Sequence, residues 1–157
     1  MTGSHDTYKK TMKLEICTNS YQSAINAEMA GAHRIELCSE LSVGGITPSY
    51  GLLKQVLNNV HLPVFVLIRP RSGDFVYSEE EFNTMKLDIE ICKQLGASGI
   101  VSGVLDKDGS IDMERTAELL ELSRPLEFTF HRAFDELDEP HVGMEQLLSL
   151  IHISDGA

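Results

Sequence analysis

The fold is decided by the stretch Val64-Phe65-Val66-Leu67-Ile68, which is apolar at every position. Strands that are buried on both faces have such continuous apolar runs, whereas strands with one wet face alternate between apolar and polar residues. The run follows Pro63 and leads into the polar sequence Arg69-Pro70-Arg71. We therefore predict a central strand of a parallel sheet, with polar groups placed at its carboxyl end.

Strand and helix patterns alternate on both sides of this stretch. The other predicted strands are Leu14–Cys17, Arg34–Cys38, Ile100–Leu105 and Leu126–Phe130. The intervening segments carry apolar residues three and four positions apart, as amphipathic helices do. Each begins at residues that favour a helix start, which are Asn19 or Ser20, Thr47-Pro48, Ser78 with Glu81, and Asp112. A short helix is predicted over Val142–Leu150, and Ile151-His152-Ile153 is expected to begin a sixth strand.

Five successive βα units without hairpin signals predict an α/β fold with a parallel sheet. A closed (β/α)₈ barrel typically needs about 250 residues, and a chain of 157 residues has room for only five or six units. Either the chain is a complete small doubly wound sheet or it is an incomplete barrel of the TIM type. Residues 1–12 are polar and are expected to be a flexible leader, so the domain is predicted to span residues 13–157.

Composition excludes several classes of partner. The formal net charge is −11, from 24 acidic residues against 13 lysines and arginines. Such a surface repels nucleic-acid phosphates and anionic membranes, so neither is an expected partner. No apolar run approaches the ~20 residues of a membrane span. The three cysteines are too few for a disulfide framework, so a cytoplasmic setting with reduced thiols is expected.

Glutamate and cysteine occur in the same pattern on two predicted strands. Leu14-Glu15-Ile16-Cys17 is nearly repeated by Ile35-Glu36-Leu37-Cys38. Because successive side chains of a strand point to opposite faces, each copy sends its glutamate and cysteine to one face. Two neighbouring strands of this kind predict one shared polar site inside the fold.

Two further strands end in charged residues. Alternation places Arg69 with Leu67 on one face of its strand, and His131 with Thr129 on one face of another. Together with Glu15 and Glu36, these groups would bring two carboxylates, a guanidinium and an imidazole together. A structural interpretation is also open, in which the glutamates form buried ion pairs, the cysteines are inert core residues and the histidine is a satisfied core residue.

The motifs at these strand ends resemble those of the CutC family over about residues 13–150. They are Leu14–Cys17, Arg34–Cys38, Gly44-Gly45, Thr47-Pro48-Ser49, Ile68–Arg71, Gly73-Asp74-Phe75, Tyr77 and Phe130–Asp135. The resemblance implies a TIM-barrel-like fold, a cytoplasmic role in copper homeostasis, and Cu(I) bound by Cys17 and Cys38. It also implies that the family's shared polar residues are Glu15, Arg34, Glu36, Arg69, Arg71, Asp74, His131, Arg132 and Asp135.

The chain departs from the family pattern after Leu150, because the last strands of the barrel are not represented. An unclosed barrel would expose a sheet edge and apolar surface, so we expect a homo-oligomer or another association through that edge. The alternative, a fragment without independent function, is also open.

Two functions follow from the polar residues. Soft thiolates select Cu(I), which favours a copper-binding protein with Cys17 and Cys38 as ligands. The rival function is an enzyme acting on a small phosphorylated or carboxylated metabolite. Its candidate catalytic residues are Glu15, Glu36 and His131, and its candidate substrate-binding residues are Arg69, Arg71, Asp74, Arg132 and Asp135.

Overall fold

A computed structural model describes residues 12–155 of the chain, with side chains as far as residue 151. Residues 1–11 of the expected leader lie outside the described residues. Within them, five parallel strands form one sheet in the order β1-β2-β3-β4-β5. The strands are β1 (Glu15–Thr18), β2 (Arg34–Leu37), β3 (Val64–Leu67), β4 (Gly99–Ser102) and β5 (Glu127–Phe130).

An α-helix follows each strand. The helices are α1 (Tyr21–Met29), α2 (Tyr50–Asn59), α3 (Glu79–Leu95), α4 (Met113–Ser123) and α5 (Pro140–Asp155). Short 3₁₀ helices lie in two of the connections, at Leu41–Val43 and Arg132–Glu136. Among the described helices, none combines the length and the apolar character that a bilayer crossing requires.

The strand order distinguishes the two fold classes that the sequence left open. A doubly wound sheet reverses its strand order at a switch point, which places helices on both faces. Here the spatial order equals the chain order, so right-handed crossovers place every helix on one face of the sheet. This arrangement confirms an incomplete (β/α) barrel of five units, and β1 and β5 are not paired to close it. The doubly wound alternative was wrong.

The main core lies between the sheet and its helices, on what we call the outer face. Alternate residues of the central strands point there, including Leu37, Val66 and Ile100. They pack against the apolar stripe of α3, in which Phe82, Met85, Ile89 and Cys92 are buried. All four residues of β3 are buried, as its unbroken apolar sequence predicted.

Side-chain caps begin four of the helices. Ser20, Ser78 and Asp112 cap α1, α3 and α4, and the predicted capping box of Ser78 with Glu81 is present. The predicted start of α2 at Thr47-Pro48 was wrong. The Thr47 hydroxyl instead accepts a hydrogen bond from the Arg69 main-chain nitrogen at 2.8 Å. Ser49 therefore caps α2 by accepting from the nitrogen of Leu52.

Two predicted strands differ from the structure near their ends. Strand β4 ends at Ser102 rather than Leu105, because Leu105 forms an isolated antiparallel bridge with Ile111 instead. The expected sixth strand at residues 151–153 was wrong, since these residues continue α5. Buried Leu150 and partly buried Leu147 lie one helical turn apart and pack on the rest of the chain, and no turn residue separates them from residue 151.

Candidate functional site

The second face of the sheet, which we call the inner face, carries few apolar residues. A small buried cluster of Cys38, Phe65, Leu67 and Val101 lies there, separate from the main core. Strand β4 and its extension contribute Gly99 and Gly103 to this face, on either side of Val101. A Cβ atom would lie 2.5 Å from the Phe65 ring at Gly99, and 2.8 Å from the His131 ring at Gly103. The two glycines thus leave room for rings supplied by neighbouring strands.

A cavity of about 250 Å³ lies at the carboxyl ends of the strands. In barrels of this type the active site occupies this end, because loops from several strands converge there. The cavity is lined by Cys17, Glu36, Cys38, Leu41, Gly44, Leu67, Arg69, Phe75, Val101, Thr129, His131 and Arg132. Many of the residues singled out from the sequence therefore meet in one place.

Both thiols that the sequence singled out line the cavity, and both are protonated at neutral pH. Cys17 is exposed, whereas Cys38 is only 2% exposed and its Sγ lies 3.6 Å from the Thr18 carbonyl oxygen, to which it donates. Burial, then Glu36, raises the pKa of Cys17. Burial, then Cys17, raises the pKa of Cys38 to about 11. A ligand that needs thiolates must therefore displace two protons.

The register of the strands keeps the two thiols from bonding to each other. Cys17 is paired with Glu36, so Cys38 is two residues further along the neighbouring strand. Neighbouring strands lie about 4.8 Å apart and two residues of a parallel strand span about 6.6 Å, so the two Cα atoms are about 8 Å apart, beyond the ~4.4–6.8 Å of disulfides. Both cysteines are free in this structure.

The two predicted carboxylates occupy different environments. Glu36 lines the cavity, and its pKa is raised by burial first and by Glu15 second, against the lowering effect of Arg34. Glu15 does not line the cavity and forms an ion pair with Arg34. The Arg34 guanidinium in turn lies 4.2 Å from the centre of the Phe65 ring. Glu15 thus matches the structural ion pair that the sequence left open, while Glu36 is available to a ligand.

Arg69 lines the cavity, but most of its N–H groups donate hydrogen bonds to carbonyl oxygens of two loops. Its guanidinium donates to the carbonyl oxygens of Val43 and Gly45, both at 2.8 Å, and of Gly73 at 2.7 Å. These bonds join the loop after β2 to the loop after β3. Arg69 is only 5% exposed, and its Nε has no hydrogen-bond partner within the described part of the chain. The guanidinium also interacts with the buried hydroxyl of Tyr77, so Arg69 acts mainly within the fold.

His131 is held as a neutral imidazole at the end of β5. Its Nδ1 accepts a hydrogen bond from the Ala133 nitrogen at 3.1 Å, which places the proton on Nε2. Burial, then the charge of Arg69, lowers its pKa to about 4. The ring packs 4.9 Å from Phe75, and Nε2 is buried without a partner among the described residues.

Arg132 is an exposed cation at the edge of the cavity. Over residues 12–151, its guanidinium makes no hydrogen bond or ion pair. It lies against Gly44, where a Cβ atom would be 2.9 Å from Arg132 Nη1. Gly44 also has a φ of 85°, which favours glycine. The glycine pair of the sequence motif thus lets the loop pass close beside this guanidinium.

The other predicted substrate-binding residues do not line the cavity. Arg71 forms ion pairs with Glu81 at 2.5 Å and with Asp74 at 3.1 Å, so it ties the loop after β3 to the start of α3. Asp135 is exposed on the 3₁₀ helix that follows His131. Their assignment to substrate binding stays a prediction.

Sequence reasoning missed several residues of the cavity wall. Phe75 and Leu41 were not chosen as site residues, yet both line the cavity. Phe75 packs against His131 and lies 4.9 Å from the Arg69 guanidinium. Its place in the motif Gly73-Asp74-Phe75 was the available signal. Leu41 has no such signal, because only the folded loop brings it over the strand ends.

These features define the class of protein: an incomplete (β/α) barrel with a cavity, lined by polar and apolar side chains, at the carboxyl ends of its strands. The model of the CutC family matches residues 12–152. The chain belongs to the CutC family, as its motifs indicated.

Known relatives agree with this assignment. A human protein named copper homeostasis protein cutC homolog is 53% identical over 137 residues, covering 87% of this chain and 50% of its own length. A CutC family protein of Proteus mirabilis is 51% identical over 138 residues, covering 88% of this chain and 55% of its own length. The chain thus spans about half the length of the curated relatives it matches.

The fold agrees with a solved structure of the same family. The crystal structure of CutC from Streptococcus agalactiae superposes with a TM-score of 0.80 at 36% sequence identity. The match covers 88% of this chain and 69% of that one. The open five-stranded sheet is therefore part of the TIM-barrel-like fold of this family.

Proposed function

We propose that this chain serves copper homeostasis in the cytoplasm by binding Cu(I) through Cys17 and Cys38. The human and mouse relatives are named copper homeostasis proteins. Thiolates are soft ligands, and soft ligands favour Cu(I) over the harder divalent ions. Copper is the cargo in this proposal, and the two cysteines are its ligands.

One observation carries the proposal: both thiols line the same cavity. Within the described residues, no group of three or more His, Cys, Asp or Glu side chains could hold a metal ion. The donor set is therefore limited to two sulfurs, which suits a soft ion of low coordination number better than zinc, for which structural sites use four ligands.

The protonated thiols predict how Cu(I) binding depends on pH. Because both thiol pKa values lie above their ordinary value of 9.0, each thiol releases a proton when it binds the metal. The apparent affinity should therefore rise with pH, by up to about 100-fold per pH unit for two protons.

A competitive Cu(I) titration under anaerobic conditions tests the copper proposal. We expect the unmodified chain to bind one Cu(I), and the double variant Cys17→Ser/Cys38→Ser to lose this binding. Cys92→Ser is the matched control, because Cys92 is a free cysteine buried on the outer face. Undiminished stoichiometric binding by the double variant would refute the proposal.

A second candidate function is an enzyme acting on a small anionic metabolite. It is favoured by a specific observation, which is that two residues of the cavity wall carry donors without a partner among the described residues: His131, at Nε2, and Arg132, at its guanidinium. Glu36 and His131 are the candidate acid and base. Glu15 is a weaker candidate, because it is paired with Arg34 outside the cavity wall.

A thermal-shift screen of phosphorylated and carboxylated metabolites tests the enzyme proposal. We expect at least one of them to raise the melting temperature of the chain. Arg132→Gln should remove that increase. If no metabolite in a broad panel stabilises the protein, the enzyme proposal fails while the copper proposal is unaffected.

We also propose that the open sheet associates with another chain, most simply a second copy. Strands β1 and β5 each pair on one side only within the described sheet, which leaves two unpaired edges. Light scattering during size-exclusion chromatography tests this proposal. We expect a mass well above the 17.4 kDa of one chain, and a stable species of that single-chain mass would contradict it.

A further inference from the structure

Two consecutive residues of the cavity wall carry hydrogen-bond donors that have no partner among the described residues, and we call this pair the donor corner. They are His131, at Nε2, and Arg132, at its guanidinium. The charge of Arg69 also acts on His131. The Nε2 atom of His131 is buried, and leaving a buried donor without an acceptor is unfavourable. A ligand with acceptor atoms would remove that cost.

We propose that the donor corner binds the carboxylate group of a small organic acid. This inference rests on the second function proposed above and narrows its substrate class. It does not depend on copper, because neither cysteine belongs to the donor corner.

The charges around the donor corner favour an anion. Two guanidinium groups line the cavity wall, against one carboxyl group, that of Glu36. The chain as a whole has a formal net charge of −11. This part of the cavity wall therefore carries the opposite sign of charge from the chain as a whole. A concave site with one sign of charge concentrates ligands of the opposite sign.

The donors suit a carboxylate better than a phosphate group. Phosphate sites commonly use free main-chain N–H groups at helix starts or in glycine-rich loops. Here the nitrogens of Gly44 and Gly45 donate to the carbonyl oxygens of Leu41 and Glu40, both at 3.0 Å. The nitrogen of Ala133 is also occupied, by His131 Nδ1. The unpartnered donors of the donor corner are side-chain N–H groups, and its planar guanidinium pairs well with the two coplanar oxygens of a carboxylate.

The rest of the cavity indicates an apolar body for the acid. Apart from the donor corner, much of the wall consists of Leu41, Leu67, Phe75 and Val101. A cavity of about 250 Å³ is small for a ligand site and accommodates a ring or short chain rather than a cofactor. The thiols and Glu36 line the same cavity, where they could contact that body.

Benzoate is a suitable probe, with two analogues of the same ring. Benzamide keeps the shape without the charge, and phenylphosphonate replaces the planar carboxylate by a tetrahedral dianion. Binding to the full chain is measured by isothermal titration calorimetry. We expect benzoate to bind at least about tenfold more tightly than either analogue.

The variants separate the donor corner from general charge effects. Arg132→Gln and His131→Asn should each weaken benzoate binding about tenfold, while circular dichroism confirms that both variants fold. Arg124→Gln is the control, because it also removes one positive charge but alters an exposed arginine that pairs with Glu121 on α4.

Each other result overturns the inference in a recognisable way. Equal binding of benzamide would indicate an apolar cavity without a carboxylate site. Tighter, Arg132-dependent binding of phenylphosphonate would exclude the carboxylate but support an anionic metabolite in general. If none of the three probes binds, the donor corner is not a carboxylate site, whereas the metabolite screen decides separately on the enzyme proposal.

Discussion

The outer and inner faces of the sheet are built from neighbouring residues but serve different ends. Val66 and Ile100 point to the helices and belong to the main core, while Leu67 and Val101 point the other way and line the cavity. A single step along a strand therefore separates a residue that stabilises the fold from one that shapes a site. A barrel that winds in one direction has helices on one face only, so its other face is free for chemistry.

Ionisable groups divide unequally between the two faces. Cys17, Glu36, Cys38 and His131 line the cavity, and each has a pKa displaced toward its neutral form. On the outer face, burial raises the pKa of Cys92 to about 12, but this thiol lies among apolar residues with no cavity beside it. A displaced pKa indicates a functional site only when the group also faces space for a ligand.

The largest expected difference between the two faces is in stability, and truncating one leucine on each face measures it. Leu37 is 0% exposed on the outer face, and Leu67 is 4% exposed on the inner face. Leu37→Ala should reduce the free energy of unfolding by about 3–5 kcal/mol, because it leaves a closed cavity in the core. Leu67→Ala should reduce it by only about 2 kcal/mol, since the new space joins an existing cavity.

Urea denaturation of the two leucine variants checks this difference. A loss for Leu67→Ala as large as that for Leu37→Ala would mean that the inner face contributes to stability as much as the outer face does.

The next largest expected effect is the pH dependence that His131 gives to the free energy of unfolding. Its pKa falls from the ordinary 6.5 to about 4 in the folded chain. Between these values the unfolded chain takes up a proton that the folded chain does not, so stability falls as the pH is lowered. The contribution of His131 to the free energy of unfolding is fully present above about pH 6.5, and about 3 kcal/mol of it is lost by pH 4.

Comparison with His131→Asn isolates this effect, because the asparagine amide oxygen can still accept from the Ala133 nitrogen. Urea denaturation at pH 7.5 and at pH 4 should show a loss about 3 kcal/mol larger in the unmodified chain. Other groups, including Glu36, titrate in both proteins, so their contributions cancel in the difference. Equal losses would show that His131 is not held neutral by the fold.

The smallest expected effect comes from filling the space beside His131. A Cβ atom at Gly103 would lie 2.8 Å from the imidazole ring and 3.2 Å from the Ala133 side chain. Gly103→Ala should therefore reduce the free energy of unfolding by about 1–3 kcal/mol. It should also displace the imidazole, which an altered NMR signal of His131 would reveal. An unchanged His131 signal would contradict the proposed tight fit.

Local patterns predicted much of the fold and part of the site. The unbroken apolar run from Val64, the capping box at Ser78 and the alternation of Glu36 with Cys38 all have short-range causes that can be read from neighbouring residues. The dual role of Arg69 could not be read in this way. Its partners Val43, Gly45 and Gly73 lie on two separate loops, which meet only in the folded chain.

The same limit explains the errors. The α2 cap was misplaced because the hydrogen bond that occupies Thr47 comes from another strand end, at Arg69. The division between Glu15 and Glu36 also depends on tertiary structure, since the two residues occupy equivalent positions in similar strands. Only the folded chain shows that Glu15 is paired with Arg34 and that Glu36 faces the cavity.

The central claim is that the inner face binds ligands while the outer face holds the fold together, and methyl-resolved NMR tests it most directly. Cu(I) and benzoate are added in separate titrations of the full chain. We expect the methyl signals of Leu67 and Val101 to shift with either ligand, while those of Val66 and Ile100, on the outer face of the same strands, do not. Shifts confined to Val66 and Ile100, or no shift of Leu67 and Val101 with either ligand, would contradict the claim.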